Sequence, residues 1–394
     1  GDRTFFGDNW PDRARHWLPT VDHPSDKATV EFIVTAPDHY QVIANGDQIE
    51  ETNITDDTKL THWKELVPLP TKVMVIGAAR FAVNTAGYVD HIPVTSWVYR
   101  QDRDNGFLDY KIAIGVLDYF DQKIAAYPYG KLANVQSKTR YGGMENAGNI
   151  FYYENSVNGN QDQEKLIAHE IAHQWFGNSA SELNWHHIWL SEGFATYMTD
   201  LYLEDVRGKA AFLENLKKER QKVIKYAQKK LAPIVDVSVT DYNKLLNPNS
   251  YQKGAWVLHM LRHKLGDELF LKGIQNYYHK YAYANALSED FQQVMEETSD
   301  KKLGDFFKQW LYQAGHPVLK IEVSKRKSQI TIRQVQGKNL FTFPLDLEII
   351  NDEEDRMRKT VWIDSKSHTF TIKMEGEIQR IIVDPDCWLL FEER

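Results

Sequence analysis

Thiols are almost missing from this chain: Cys387 is the one cysteine in 394 residues. A single thiol rules out an intramolecular disulfide and argues against a thiolate metal cluster. It suits a reducing compartment, although exported bacterial proteins also do without cysteine. No uninterrupted apolar run approaches the ~18 residues expected of a membrane-spanning helix, and no signal-peptide core is visible. Positive charge is also in short supply. Lys and Arg number 47 against 55 Asp and Glu, for a formal net charge of −8. Without a basic stripe, the chain is a poor nucleic-acid binder. Internal repeats and low-complexity tracts are absent too. The first residue is Gly1 rather than Met, as in a processed or trimmed product. These absences predict a soluble protein, either cytoplasmic or periplasmic/secreted, with no membrane span and no nucleic-acid partner.

What is present is apolar material: 42% hydrophobic and 12% aromatic residues. That is enough for two or three cores. The period of the apolar positions changes twice along the chain. Val30, Phe32 and Val34 alternate as in a half-buried strand, "QVIANG" ends on an Asn-Gly turn, and "KVMVIGAARFAV" is a buried-strand run. From "FLDYKIAIGVLDYFDQKI" onward the spacing is helical. Helices are predicted over 161–177 and from near Ser191, Lys209, Tyr251, Glu268, Glu289 and Leu303. After "AGHPVL" the period returns to two, at Leu319, Ile321 and Val323, then Ile330 and Ile332. It continues over Phe341 to Ile349, at Val361 and Ile363, and at Phe370 and Ile372. "NDEEDRMRK" reads as a solvated hairpin tip. The layout is a multidomain α+β chain: a β domain over 1–86, a mainly α domain over 87–316 and a C-terminal β-sandwich over 317–394.

"IAHEIAHQWFGN" places His169 and His173 four residues apart, on one helical face one turn apart. Two neutral imidazoles there can bind one Zn²⁺, with Glu170 about 100° around the helix as the base of a zinc hydrolase. A third ligand is required. Glu192 lies near the start of a second helix whose other early residues are apolar, where an unpaired carboxylate would be costly. His169, His173 and Glu192 are therefore the predicted metal set. His186 and His187 in "NWHHIW" have no partner at ligand spacing and are read as packed or solvent-facing. Zinc with a carboxylate base suits addition of water to a carbonyl, and such a reaction needs a separate donor for the developing oxyanion.

Two more stretches stand out. In "YGGMENAGN" the glycines allow close backbone approach and Glu145 adds a carboxylate; read alone, it is equally a Gly-rich turn with a capping residue. In "NPNSYQKGAW", Tyr251 opens a helix and, alone, is a packing residue. In order, "GGMEN", "HEIAH", Glu192 and "YQKG" resemble the M1 family of zinc aminopeptidases, which includes leukotriene A4 hydrolase and aminopeptidase N. "RARHWLPTVDHPSDKATVEF" and "QWLYQAGHPVLKIEV" extend the resemblance over nearly the whole chain. It implies a thermolysin-like catalytic domain with a small sheet, to which 94–100 and 149–153 contribute.

The resemblance also implies one Zn²⁺ per chain on His169, His173 and Glu192, with Glu170 as general base and Tyr251 as oxyanion donor. Glu145 would pair with the free α-ammonium of a peptide, while Gly142, Gly143, Met144 and Asn146 line its backbone. Tyr141 and Met144 would shape the first side-chain pocket. The implied activity is removal of the N-terminal residue from peptides. Against the family pattern, the N-terminal domain reads as shortened, which leaves a sheet edge for a partner chain or retained fragment to cover. A C-terminal helical domain is not seen. Asp8, Asn9 and Trp10 lie nearest the region that in relatives supplies a second amine contact. Three rival readings stay open: an epoxide hydrolase of the leukotriene A4 hydrolase type, a thermolysin-like endopeptidase, and a non-catalytic peptide-binding protein.

Overall fold

The computed structural model describes residues 3–324, 328–337 and 339–394. The alternation around Val30 becomes strand Lys27–Pro37, paired antiparallel with Thr58–Pro70, which carries Asp47–Asn53 on its other side. Phe32 and its cross-strand partner Trp63 are both buried. A second three-stranded sheet has Ile76–Ala79 at its centre, between Phe5–Phe6 and Gln41–Ala44. Asn45-Gly46 is thus not a hairpin turn but the corner where the chain passes from one sheet to the other. Gly46 has φ +80°, and a Cβ there would lie 2.0 Å from the Lys64 carbonyl oxygen, so only glycine fits. The buried Asn45 amide donates to Val73 O at 2.9 Å and Ala147 O at 2.8 Å. It thereby ties this corner to the "GGMENA" loop.

A five-stranded sheet follows, in the order Gly143–Met144, Asn149–Tyr152, Leu132–Gln136, Ile92–Tyr99, Phe81–Val89. A division at 86/87 runs through the last of these, and that strand's ladder to Ile92–Tyr99 places the whole hairpin with the block that follows. The expected runs at 94–100 and 149–153 both belong to this sheet. They are joined by the central strand Leu132–Gln136, which sequence periodicity does not reveal. All five of its residues are buried, and a strand covered on both faces has no alternation to read. Within "GGMEN", Gly143–Met144 is itself the edge strand, antiparallel to Asn149–Tyr152.

The helical block opens with Arg103–Asp109 and Ala113–Lys123, separated by a 3₁₀ turn. The helix predicted over 161–177 is shorter, Glu164–Ala172, with His173 as its C-cap still in helical conformation. Trp189–Arg207 is buried at every position from Trp189 to Tyr202, the mark of a central helix surrounded by protein. Lys209–Lys229, Gly254–Leu265, Asp267–Tyr281 and Ser288–Ser299 pack around it. Gly193 and Gly254 face each other, so that a Cβ on Gly193 would lie 2.9 Å from Gly254 Cα. The two helices can approach this closely only because neither residue has a side chain. Among the described residues, no helix is long and apolar enough to cross a membrane.

Beyond residue 317 the chain forms two sheets. One runs Ser367–Thr371, Gln329–Gln334, Val318–Ser324, Glu392–Glu393; the other Arg356–Ile363, Phe343–Asn351, Ile378–Val383. Ile330, Ile332, Leu345, Leu347, Ile349 and Ile363 point inward and are fully buried. The tip in "NDEEDRMRK" is confined to 352–355, where the Asn351 side chain accepts from Glu353 N at 3.0 Å and Asp355 N at 2.7 Å. Arg356 onward is strand.

Candidate metal centre and active-site cleft

His169 and His173 meet as their spacing demands. Their Nε2 atoms are 3.1 Å apart and their ring planes are nearly perpendicular, at 88°. Glu192 brings Oε2 to 3.5 Å from His169 Nε2 and 3.2 Å from His173 Nε2. The orientation of His173 is fixed from behind. Its Nδ1 lies 3.1 Å from Phe176 O and 3.1 Å from Ser191 Oγ. A proton on Nδ1, donated to the Phe176 carbonyl, leaves Nε2 as a lone pair aimed at Glu192 and His169. Gly177, with φ +115°, makes room for this, since a Cβ there would lie 2.1 Å from Ser191 Oγ.

The donor set fits a divalent metal. Two imidazole nitrogens and one carboxylate oxygen converge, and Glu192 Oε2 is buried with no hydrogen-bond donor among the described residues. A buried, unpaired carboxylate is costly without a cation. Borderline-soft nitrogen ligands with one carboxylate suit zinc. The electrostatics agree. Burial alone would raise the Glu192 carboxyl, yet the two histidines hold it far below the usual carboxylate range. Burial disfavours charge on His173, but Glu192, Glu145 and Glu170 outweigh it and lift the imidazole to about 9. His169 goes the other way, pushed down mainly by burial. Three carboxylates around two imidazoles leave an excess of negative charge at one point.

Glu170 is buried beside this set, and its carboxyl is pushed well above the usual range by burial first, with Glu145 and Glu192 adding to the effect. Glu145 is equally buried, with Oε1 lacking a partner among the described residues. Its carboxylate, that of Glu170 and the His173 ring lie within 4.8 Å of one another. The Glu145 backbone carbonyl accepts from Gln174 Nε2 at 3.0 Å and Asn178 Nδ2 at 2.6 Å. Tyr251 sits in a π-helical turn, Asn249–Lys253, just ahead of helix Gly254–Leu265. Such turns recur at functional sites. Its ring stacks on His169 at 6.0 Å, and burial, then Glu192 and Glu145, hold its hydroxyl well above the ordinary tyrosine value. Met144 and Asn146 are buried in the same loop.

Met144, Glu145, His169, Glu170, His173, Glu192 and Tyr251 line one cleft of about 240 Å³, completed by Trp10, Tyr141, Gly142, Gly143, Leu166 and Leu246, whereas Asn146 lies outside its lining. Of the three N-terminal candidates, only Trp10 reaches it. The Asn9 side chain turns away to Thr71 O and Met74 O, and Asp8 accepts from Arg13. His186 is held by Val239 O and His187 by Ser288 Oγ, both away from the metal set. Leu166, Leu246, Gln174 and Asn178 carried no sequence signal of their own. Gln174 follows the second histidine directly, and Asn178 lies four residues further on.

The family model for the Peptidase family M1 domain matches residues 108–310, and that for the Peptidase M1 N-terminal domain matches residues 4–73. The chain is 30% identical over 360 residues to "Probable aminopeptidase 2" of Sulfurisphaera tokodaii, covering 85% of this chain and 45% of the relative. It is 28% identical over 337 residues to the glutamyl aminopeptidase of Sus scrofa, covering 82% of this chain and 36% of the relative. To "Aminopeptidase M1-C" of Oryza sativa subsp. japonica it is 28% identical over 369 residues, covering 87% and 41% respectively. The chain thus spans less than half the length of these relatives. With both domain models matched in order, and the Peptidase family M1 domain model covering more than half of the residues, the chain belongs to peptidase family M1.

Proposed function

We propose that this chain is a zinc-dependent aminopeptidase that removes the N-terminal residue of peptides. The observation that carries the reading is the buried Glu145 carboxylate, one oxygen unpartnered, set against the His169–His173–Glu192 cluster in the same cleft. His169, His173 and Glu192 hold one Zn²⁺. When bound, zinc acidifies water and polarises the scissile carbonyl.

The chain's own residues do the rest. Glu170, whose proton affinity is raised by burial, takes the proton from the attacking water and returns it to the leaving amine. Tyr251 keeps its proton, because burial and nearby carboxylates disfavour the phenolate, and donates it as a hydrogen bond to the oxyanion. Glu145 pairs with the substrate α-ammonium. A blocked amine leaves that carboxylate desolvated and unpaired, at a cost of about 3–5 kcal/mol. Gly142, Gly143, Met144 and Asn146 run along the substrate backbone, with Gly143–Met144 at the edge of its sheet. The aminopeptidase names of the relatives support the reading.

The two C-terminal sheets are read as the layers of a small β-sandwich. The exposed edge strand Asp47–Asn53 is the place for a partner chain or retained fragment.

The test is a panel of aminoacyl anilides with free and acetylated amines, with and without chelator, on wild type and Glu170→Gln. Chelator-sensitive cleavage of the free-amine set alone, lost in Glu170→Gln, is expected. Equal cleavage of the acetylated set would make the enzyme an endopeptidase and Glu145 structural.

A further inference from the structure

Trp10 apart, the cleft is built from the helical block and its sheet. One contact from the N-terminal sheet reaches it from behind. Lys27, the first residue of strand Lys27–Pro37, sends its ammonium into the turn that follows His173. Its Nζ donates to Ser179 O at 2.7 Å, Ala284 O at 2.8 Å and Asn178 O at 3.3 Å. An ammonium has three protons, and here three carbonyls receive them. The turn is anchored at both ends of interest: Asn178 N donates to His173 O at 3.1 Å, and Asn178 Nδ2 donates to Glu145 O at 2.6 Å. A hydrogen-bonded path therefore runs from Lys27 through Asn178 to the backbone of Glu145, across 151 and 33 residues of sequence.

The arrangement is expensive for a packing contact. Burial pushes Lys27 down to about 7, with Glu182 opposing the shift and Lys72 adding to it. An apolar side chain would avoid that cost but withdraw a donor from each of the three carbonyls. The cation also sits past the C-terminal end of the helix carrying the two histidines, where positive charge complements the helix dipole. Ser181 Oγ is the other side-chain donor to Asn178 O, at 2.9 Å.

We infer that Lys27 is a positioning residue for the substrate-amine subsite: through Asn178 it fixes Glu145, so the N-terminal sheet sets affinity for the free amine. The inference rests on the reading of Glu145 as the amine anchor.

The experiment compares KM and kcat for a free-amine anilide in the zinc-loaded full chain. The variants are wild type, Lys27→Met, Asn178→Ala and the double variant, with zinc content and melting temperature recorded for each. Lys27→Met should raise KM about fivefold while kcat stays within about twofold, the size of one hydrogen bond's net worth. In the Asn178→Ala background the same change should move KM by less than about twofold, because the path is already cut. Lys27→Arg, which keeps charge and donors, should recover most of the loss. An unchanged KM in Lys27→Met, or an equal rise in both backgrounds, overturns the inference. If Lys27→Met does not fold, Lys27→Gln and Asn178→Ala carry the same comparison, and wild-type KM in both overturns it. Failure of wild type to cleave free-amine substrates removes the amine-anchor reading and this inference with it.

Discussion

One added methyl group should disable the proposed base without touching the fold. A Cβ at Gly143 would lie 2.4 Å from Glu170 Cδ, 2.4 Å from Oε1 and 2.6 Å from Cγ. Ordinary contact between such atoms begins near 3.5 Å, so the Glu170 carboxylate must retreat by about 1 Å. It can do so cheaply, since it is the far end of a flexible side chain, and Gly143 lies in an extended strand that alanine adopts readily. Stability should therefore stay within about 0.5 kcal/mol of wild type. Catalysis should not. A misplacement of about 1 Å at a reacting group costs on the order of 10²-fold in rate, equivalent to about 2.7 kcal/mol of activation free energy. Gly142→Ala is the comparison, because its Cβ meets only Leu166 Cδ1 at 3.5 Å, and its loss should stay under about tenfold. The assay is kcat on a free-amine anilide, with zinc content and melting temperature measured on the same preparations. A Gly143→Ala variant with kcat within a few-fold of wild type would refute the reasoning. So would one whose activity falls only in step with lost zinc.

Three further perturbations test other parts of the site. Tyr251→Phe removes the oxyanion donor and should lower kcat by about 10²–10³-fold with little change in KM; steady-state kinetics decide, and a KM-only effect would return Tyr251 to a packing role. Ser191→Ala removes the hydroxyl 3.1 Å from His173 Nδ1 and should weaken zinc about tenfold; competition against a metallochromic chelator reads this, and unchanged affinity would show that Phe176 O alone fixes the ring. Lys253 is buried, has one carbonyl contact at 3.4 Å, and is pushed down to about 7 by burial. The unfolded lysine titrates near pH ~10.4. Between those values the unfolded chain binds the extra proton, so this residue makes stability rise with pH from about 7 to about 10. Denaturant melts across that window should lose that part of the slope in Lys253→Met, and an identical slope would refute the burial argument.

The legible features were those whose partners lie close in sequence. Two histidines at i and i+4 share a helix face whatever the rest of the chain does, and a helical start with a lone carboxylate marks Glu192 for the same reason. Alternation disclosed most strands with one dry face. It failed for Leu132–Gln136, buried on both faces, and for Ile378–Val383, whose residues after Ile378 are exposed or half-buried. The Asn45-Gly46 signal marks a change of direction but does not name the strand that will pair next. The predicted helix 161–177 overran because His173, Gln174 and Phe176 fit the helical period, whereas Gly177 at φ +115° turns the chain away.

What stayed hidden has a common physical origin. Leu246 in the cleft wall, Asn45 on Ala147 and Lys27 on the turn after His173 all come from elements other than the histidine helix. None has a periodicity to betray it, because each partner lies on another element that only the fold brings near. Local spacing can encode His169, His173 and Glu170, since one helix positions them, whereas Glu192 stands on a second helix. It cannot encode the proposed discrimination for a free amine, which would require Glu145 to be held at a set distance from the proposed metal set on other elements. Glu145 is held by cross-element hydrogen bonds to its carbonyl, and the Gly193–Gly254 contact separately brings the Tyr251 turn close to the Glu192 helix. Substitutions at these remote positions should therefore alter which substrates are accepted before they alter whether zinc is bound.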